Sequence, residues 1–242
     1  MTNHVLLDNI SHQDLRVKSR YEKNHGYDVS LTRTFLVEFS QLQMEYPILF
    51  TKNQDTGHFE PMAMLGFSEN ENLYLGNGKW DASYIPLTIQ RQPFLIGFQE
   101  TVDAGIPSRN PVVHIDLDHP SVSSSGEGER IFLEHGGESP VLERMSSILM
   151  TIHNGHEINQ SFSKLLVGLD LIESLALEIE FNDGSKQNLK GLYTINEDKL
   201  RALNANALEV LHTKGHLQDV YMILASLPNL ARLIEKKNQQ LT

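Results

Sequence analysis

The run His114-Ile115-Asp116-Leu117-Asp118-His119 holds the densest set of side chains able to ligate a metal or move a proton. Along an extended strand, successive side chains point to opposite faces. His114, Asp116 and Asp118 are then expected on one face, with Val113, Ile115 and Leu117 toward a core. A His-x-Asp pair on a strand plus one distant histidine is how a facial-triad iron(II) site is built. The distant candidates are His153, His156, His212 and His216, and the set considered for iron or zinc is His114, Asp116 and His153. The wet face of a half-buried antiparallel strand displays the same polar residues with no metal at all, and that plainer reading is preferred. A second constellation is Trp80-Asp81 with Tyr84 and Arg91, which could line a pocket for an aromatic ligand or a sugar. Its rival is structural: a large aromatic gains most when it is buried, so Trp80 would plug the core at a sheet edge.

Other patterns carry less. His153 and His156, and His212 and His216, are spaced for one helix face, but Gly155 and Gly215 are expected to end their helices. Gly136-Gly137-Glu138-Ser139 precedes a helix start, where free N–H groups attract anions. It lacks a lysine, and Glu138 would repel the anion. Neither a Gly-x-Ser-x-Gly elbow nor a nucleotide-type glycine pattern is present. The chain has no cysteine, which removes disulfides and thiolate chemistry. No catalytic residue is assigned, and no cofactor is expected.

The elements that would position these residues read as α+β. Short antiparallel strands occupy the N-terminal half, with helices and a hairpin in the C-terminal half. Thr34–Glu45 has helical spacing, with Phe35, Leu36, Phe39 and Leu42 inward and Glu38, Gln41 and Glu45 outward, and Tyr46-Pro47 ends it. Short strands follow at Ile48–Thr51 and Phe59–Phe67, with a turn at Asp55-Thr56-Gly57. Asn77-Gly78 signals a hairpin. Ala82–Arg91 reads as a short helix, and Phe94–Gln99 and Pro111–Asp118 as strands around a loop at Asp103–Asn110. Ser139-Pro140 opens a helix that Asn154-Gly155 should close, and a second apolar stripe follows at Phe162, Leu165, Leu166 and Leu169. Leu175, Leu177, Ile179 and Phe181 alternate with polar or small residues as a half-buried strand, and Asp183-Gly184 turns it back toward Ile195. Asn196 is placed as a helix cap, Gly215 as a left-handed stop, and Leu217, Val220, Tyr221 and Leu224 as the next apolar face.

With 242 residues, the chain is expected to form one domain over 1–242, with Ser121–Gly128 as a flexible loop or sub-domain boundary. Net charge is −11 and the one basic cluster is Lys236-Lys237, so nucleic acid is not an expected partner. No stretch approaches the roughly 20 apolar residues that span a bilayer, so membrane insertion is not expected. The N-terminal segment lacks a signal-like apolar core, which makes the cytoplasm the expected compartment. The C-terminal helices, 200–238, offer apolar faces through which a partner or a second copy could bind, forming a homodimer.

Four segments resemble the SapC family of bacterial proteins: Glu38–Thr51, Phe59–Gly66 with Glu71-Asn72-Leu73, Gly78–Phe94, and Gly191–Asn229. The family is associated with surface-layer gene clusters, and some members carry a peptide-transport label. Its genes also lie near TonB-dependent receptors, flavin-dependent halogenases and cupin-like proteins. The resemblance therefore implies an accessory role in nutrient uptake, modification or surface-layer systems, with no catalytic residues to carry over. The expected function is a non-enzymatic accessory or binding protein with a protein or small-molecule partner. The competing expectation is a non-haem iron- or zinc-dependent enzyme using His114 and Asp116.

Overall fold

A computed structural model describes residues 3–23, 25–76, 78–103, 106–124 and 126–241, with side chains at 101–108 outside the description. Two compact units divide the chain: Met1–Tyr27, Asn77–Lys79 and Leu87–Asn154 form the first, and Asp28–Gly76, Trp80–Pro86 and Gly155–Thr242 the second. Segment 121–128 lies inside the first unit. The architecture is α+β with antiparallel sheets, as the residue patterning predicts.

In the first unit, strand Ile106–Asp116 pairs with His4–Leu6 on one side and Phe94–Asp103 on the other. The expected loop over 103–110 is a correction: Asp103 lies opposite Ile106, so strand pairing consumes most of it. Pro107 and Pro111 are tolerated because His4–Leu6 pairs only with residues 114–116, leaving the proline stretch on an open edge. Arg16–Val17 lies between Val122–Ser123 and Glu129–Arg130.

In the second unit, five strands pair in the order Ile172–Glu180, Lys186–Ile195, Ile48–Lys52, Phe59–Met64 and Leu31–Arg33. The hairpin at 172–195 falls where the alternation places it, with Ile179 and Phe181 buried. Its return strand docks on the N-terminal strands through Leu192 opposite Thr51 and Tyr193 opposite Phe50. Asn196 caps Glu197–Arg201 by accepting from the Lys199 N–H, and Gly215 adopts φ +77° between Ala205–Thr213 and His216–Ser226. Phe162 sits at full burial, with ring centroids 6.4 Å from both Phe39 and Phe50.

Several expectations about direction are overturned. The helix expected over 34–45 is a 3-10 turn, Leu36–Glu38, running into a short α-helix, Phe39–Leu42. The Glu38 carboxylate folds back on the start of this turn, accepting from the Thr34 hydroxyl and the Phe35 N–H. Glu38 is consequently buried rather than outward. Helix Pro140–Gly168 does not stop at Gly155 but absorbs the second apolar stripe, contributing its first half to one unit and its second half to the other. The expected helix over 82–91 shrinks to Leu87–Gln90, since Ile85 precedes Pro86 and is disfavoured in α geometry. On His216–Ser226, Val220 and Ile223 turn inward while Tyr221 is 55% exposed, because the helix presents its 220–223–226 edge to the core. Ladder Leu75–Gly76 with Lys79–Trp80 forms where the hairpin signal lies; Asn77 falls outside the described residues.

Candidate functional site

The end of the Phe39–Leu42 helix, the segment after Lys79–Trp80 and the last helix, Asn229–Leu241, all lie in the second unit and share one cleft. Helix Asn229–Leu241 buries Leu233 and presents Arg232 and Lys236, four residues apart, on one face. Its first turn is tied down by Asn229, whose amide donates to the carbonyls of Gln43 and Tyr46. The cleft has a volume of about 470 Å³ and is lined by Glu45, Tyr74, Trp80, Asp81, Arg232 and Lys236.

Trp80 is held rather than mobile. Its indole Nε1–H donates to Tyr46 Oη at 2.6 Å, and Tyr46 Oη donates in turn to the Tyr84 carbonyl. The Tyr74 ring lies nearly parallel to the indole, 10° apart with centroids 6.0 Å away. Burial pushes the Tyr46 and Tyr74 phenols well above the ordinary tyrosine range, so both stay protonated donors at neutral pH. The Tyr74 hydroxyl donates to the Glu45 carbonyl at 2.7 Å, and the Asp81 N–H donates to the Tyr74 carbonyl at 2.8 Å.

The charges divide into spent and unspent. Glu45 accepts from the Ser83 N–H and hydroxyl and from the Tyr84 N–H, so its carboxylate works as a loop anchor. Lys236 Nζ bonds the Asp81 carboxylate and lies 5.0 Å from the Tyr74 ring centroid. Asp81 keeps its other carboxylate oxygen without a protein donor among the described residues. Arg232 spends Nη1 on the Met44 carbonyl at 2.9 Å, and the rest of its guanidinium fork has no protein acceptor among the described residues. The cleft therefore offers an aromatic wall, a fork of free donors and one free carboxylate oxygen.

Of the residues singled out from sequence, Trp80 and Asp81 line this cleft. Tyr84 lies behind it, with its hydroxyl donating to buried Glu38 at 3.1 Å. Arg91 belongs to the first unit, where its guanidinium donates to the Phe94 carbonyl at 2.9 Å and burial lowers its pKa. Nothing in the sequence pattern joins Tyr74, Glu45, Arg232 and Lys236 to Trp80 and Asp81 as one site. The spacing of Arg232 and Lys236 on an amphipathic helix was the available signal.

The histidine–aspartate set in the first unit is arranged differently from the expectation. His114 and Asp116 share a face of their strand, but the strand ends at Asp116, and Asp118 enters a turn whose N–H donates to Asp116 Oδ1. The His114 ring lies over Gly97, where an ideal Cβ would come within 2.2 Å of the imidazole. His153 packs on Phe98, with centroids 5.2 Å apart, and Phe98 alternates with Gly97 and so leaves the opposite face of the sheet. The histidine that approaches Asp116 is His4, across the opposite strand pairing, at 3.7 Å. His4 stands on the strand at 4–6, whereas the His114 ring lies over Gly97 on the strand at the other side. Among the described residues, no group of three His, Cys, Asp or Glu side chains could hold a metal.

His119 stands apart from that set. The Ser121 N–H donates to its Nδ1 at 3.2 Å, so the proton of the neutral ring sits on Nε2, which faces Gln92 Oε1 at 3.2 Å. Burial holds its pKa below the ordinary histidine value. In the unfolded chain it returns to about 6.5, so below that pH the unfolded state takes a proton the folded ring resists. Stability is therefore expected to fall as pH drops below about 6.5. Urea midpoints measured on either side of that pH should show a smaller change in a His119→Gln variant; an unchanged slope would refute the assignment.

These features define an α+β protein with an aromatic, mixed-charge cleft in one unit. The SapC family model matches residues 7–233, and the chain belongs to the SapC family. Comparison with curated proteins and with solved structures gives no match. No helix among the described residues is long and apolar enough to cross a membrane.

Proposed function

We propose that the protein is a non-enzymatic binding protein whose second-unit cleft takes a small ring-bearing ligand, aromatic or sugar, that carries a carboxylate. One observation carries this reading: the locked indole of Trp80 lies in the same 470 Å³ cleft as Arg232, whose guanidinium fork is only partly used. A flat ring stacks on the indole face, and a carboxylate suits the planar fork of an arginine better than the point charge of a lysine. The free Asp81 oxygen would accept from a ligand hydroxyl or amine. Cleft volume falls within the usual range of small-molecule sites, roughly 300–1,000 Å³.

The accessory role in uptake or surface-layer systems that the family resemblance implies would follow from sequestering or presenting such a ligand, with the cytoplasm as the proposed compartment. Recovery of the chain at the cell surface on fractionation would replace that compartment.

Trp80 is the chain's single tryptophan, so indole fluorescence reports directly on the cleft. Titration with benzoate and with galacturonate should perturb that emission saturably, while neutral glucose should bind more weakly. Arg232→Gln should weaken the response about tenfold, the scale of one charge-assisted hydrogen bond. No saturable response to either acid, or an unchanged affinity in a folded Arg232→Gln variant, rules the ligand class out. Chemical consumption of either probe by the purified protein would count against the non-enzymatic reading.

A further inference from the structure

Against a net charge of −11 for the chain, one cavity in the first unit is cationic. It has a volume of about 310 Å³, and its rim carries Lys18, Arg20 and Arg144 with no carboxylate among the lining residues. Arg144 makes no ion pair among the described residues. Lys18 meets Glu127, which lies on the exposed side, and Arg20 approaches Glu22 only to 3.9 Å. The floor is apolar, formed by the buried side chains of Val17, Phe94, Val141 and Met145 beside Tyr27.

A further donor can be assigned from the hydrogen-bond chain beside the cavity. With Nδ1 of His119 accepting from the Ser121 N–H, the ring's Nε2 lies 3.2 Å from Gln92 Oε1, which takes the acceptor role. That orientation leaves both amide hydrogens of Gln92, a lining residue, without a protein acceptor among the described residues. The cavity thus combines three cationic side chains, an oriented carboxamide donor and an apolar floor.

We infer that this cavity binds a small phosphate monoester, with the phosphate held by Lys18, Arg20, Arg144 and Gln92 and the organic body resting on the apolar floor. A carboxylate brings one charge and two oxygens. A phosphate monoester brings a charge of about −1.5 to −2 and three acceptor oxygens, which matches three cations and an amide donor more fully. The cavity lies near the lower end of ligand-site volumes, about 300 Å³, so the organic body is small.

Calorimetric titration of the full chain with phenyl phosphate, phenol and inorganic phosphate tests this. Phenyl phosphate should bind at one site, inorganic phosphate about tenfold more weakly and phenol not at all, and the phenyl phosphate affinity should fall as salt is raised. Arg144→Gln should weaken phenyl phosphate binding about tenfold or more without changing the melting temperature, with Lys18→Gln as a second variant should the first fail to fold. Absent phenyl phosphate binding, phenol binding of equal strength, or undiminished affinity in a folded variant overturns the inference.

Discussion

Replacing Glu38 by alanine is expected to lower the unfolding free energy by about 3 kcal/mol. Glu38 is 2% exposed, and its carboxylate accepts from the Thr34 hydroxyl at 2.7 Å, the Phe35 N–H at 3.0 Å and the Tyr84 hydroxyl at 3.1 Å. Alanine removes the acceptor and leaves these donors in place, two of them, on Thr34 and Phe35, in a buried setting. Each buried donor left unpaired costs about 1–3 kcal/mol. Glu38→Gln keeps one carbonyl oxygen and should cost roughly half as much. Urea unfolding of the two variants beside wild type reads the difference directly. A Glu38→Ala midpoint equal to that of wild type would mean the carboxylate is solvated after all.

Gly155→Leu is expected to cost about 2–3 kcal/mol, although leucine is the better helix former by nearly 1 kcal/mol. A Cβ at Gly155 would sit 2.6 Å from Cδ1 and 3.0 Å from Cγ of Phe35. Phe35 cannot step aside, being 1% exposed and in edge contact with the His156 ring at 5.2 Å. The internal contrast is Gly168 at the end of the same helix, where a Cβ would meet nothing within 4 Å. Gly168→Ala should be neutral or slightly stabilising, by up to about 1 kcal/mol. Thermal melts of Gly155→Leu and Gly168→Ala should therefore move in opposite directions or leave only the second unchanged. A Gly155→Leu protein as stable as wild type would show that the helix and Phe35 are not in close contact.

Both positions show where reading the chain alone reaches its limit. Residue type sets Glu38 outward, whereas its carboxylate folds back onto the Thr34 hydroxyl and the Phe35 N–H and is buried. Gly155 carries the composition of a helix stop, yet its role is to admit an aromatic ring from elsewhere in the chain. The cleft was half legible. Trp80 and Asp81 stand out by type and position, but Tyr74, Glu45, Arg232 and Lys236 reach them only through the pairing and docking of distant segments.

Local chemistry by itself determined the elements whose signals lie within a turn or two of the residues that form them. These are the Asn196 cap, the left-handed stop at Gly215, the alternating strand through Ile179 and the helix start at Ser139. It also determined the α+β class and the family. Tertiary structure alone decided which face Glu38 takes, that His4 rather than His153 approaches Asp116, and that the hairpin at 172–195 joins the strand at 48–52. The physical reason is range. Caps, turns and alternation are decided by neighbours a few bonds away, whereas burial and side-chain meeting depend on which distant surfaces exclude water together.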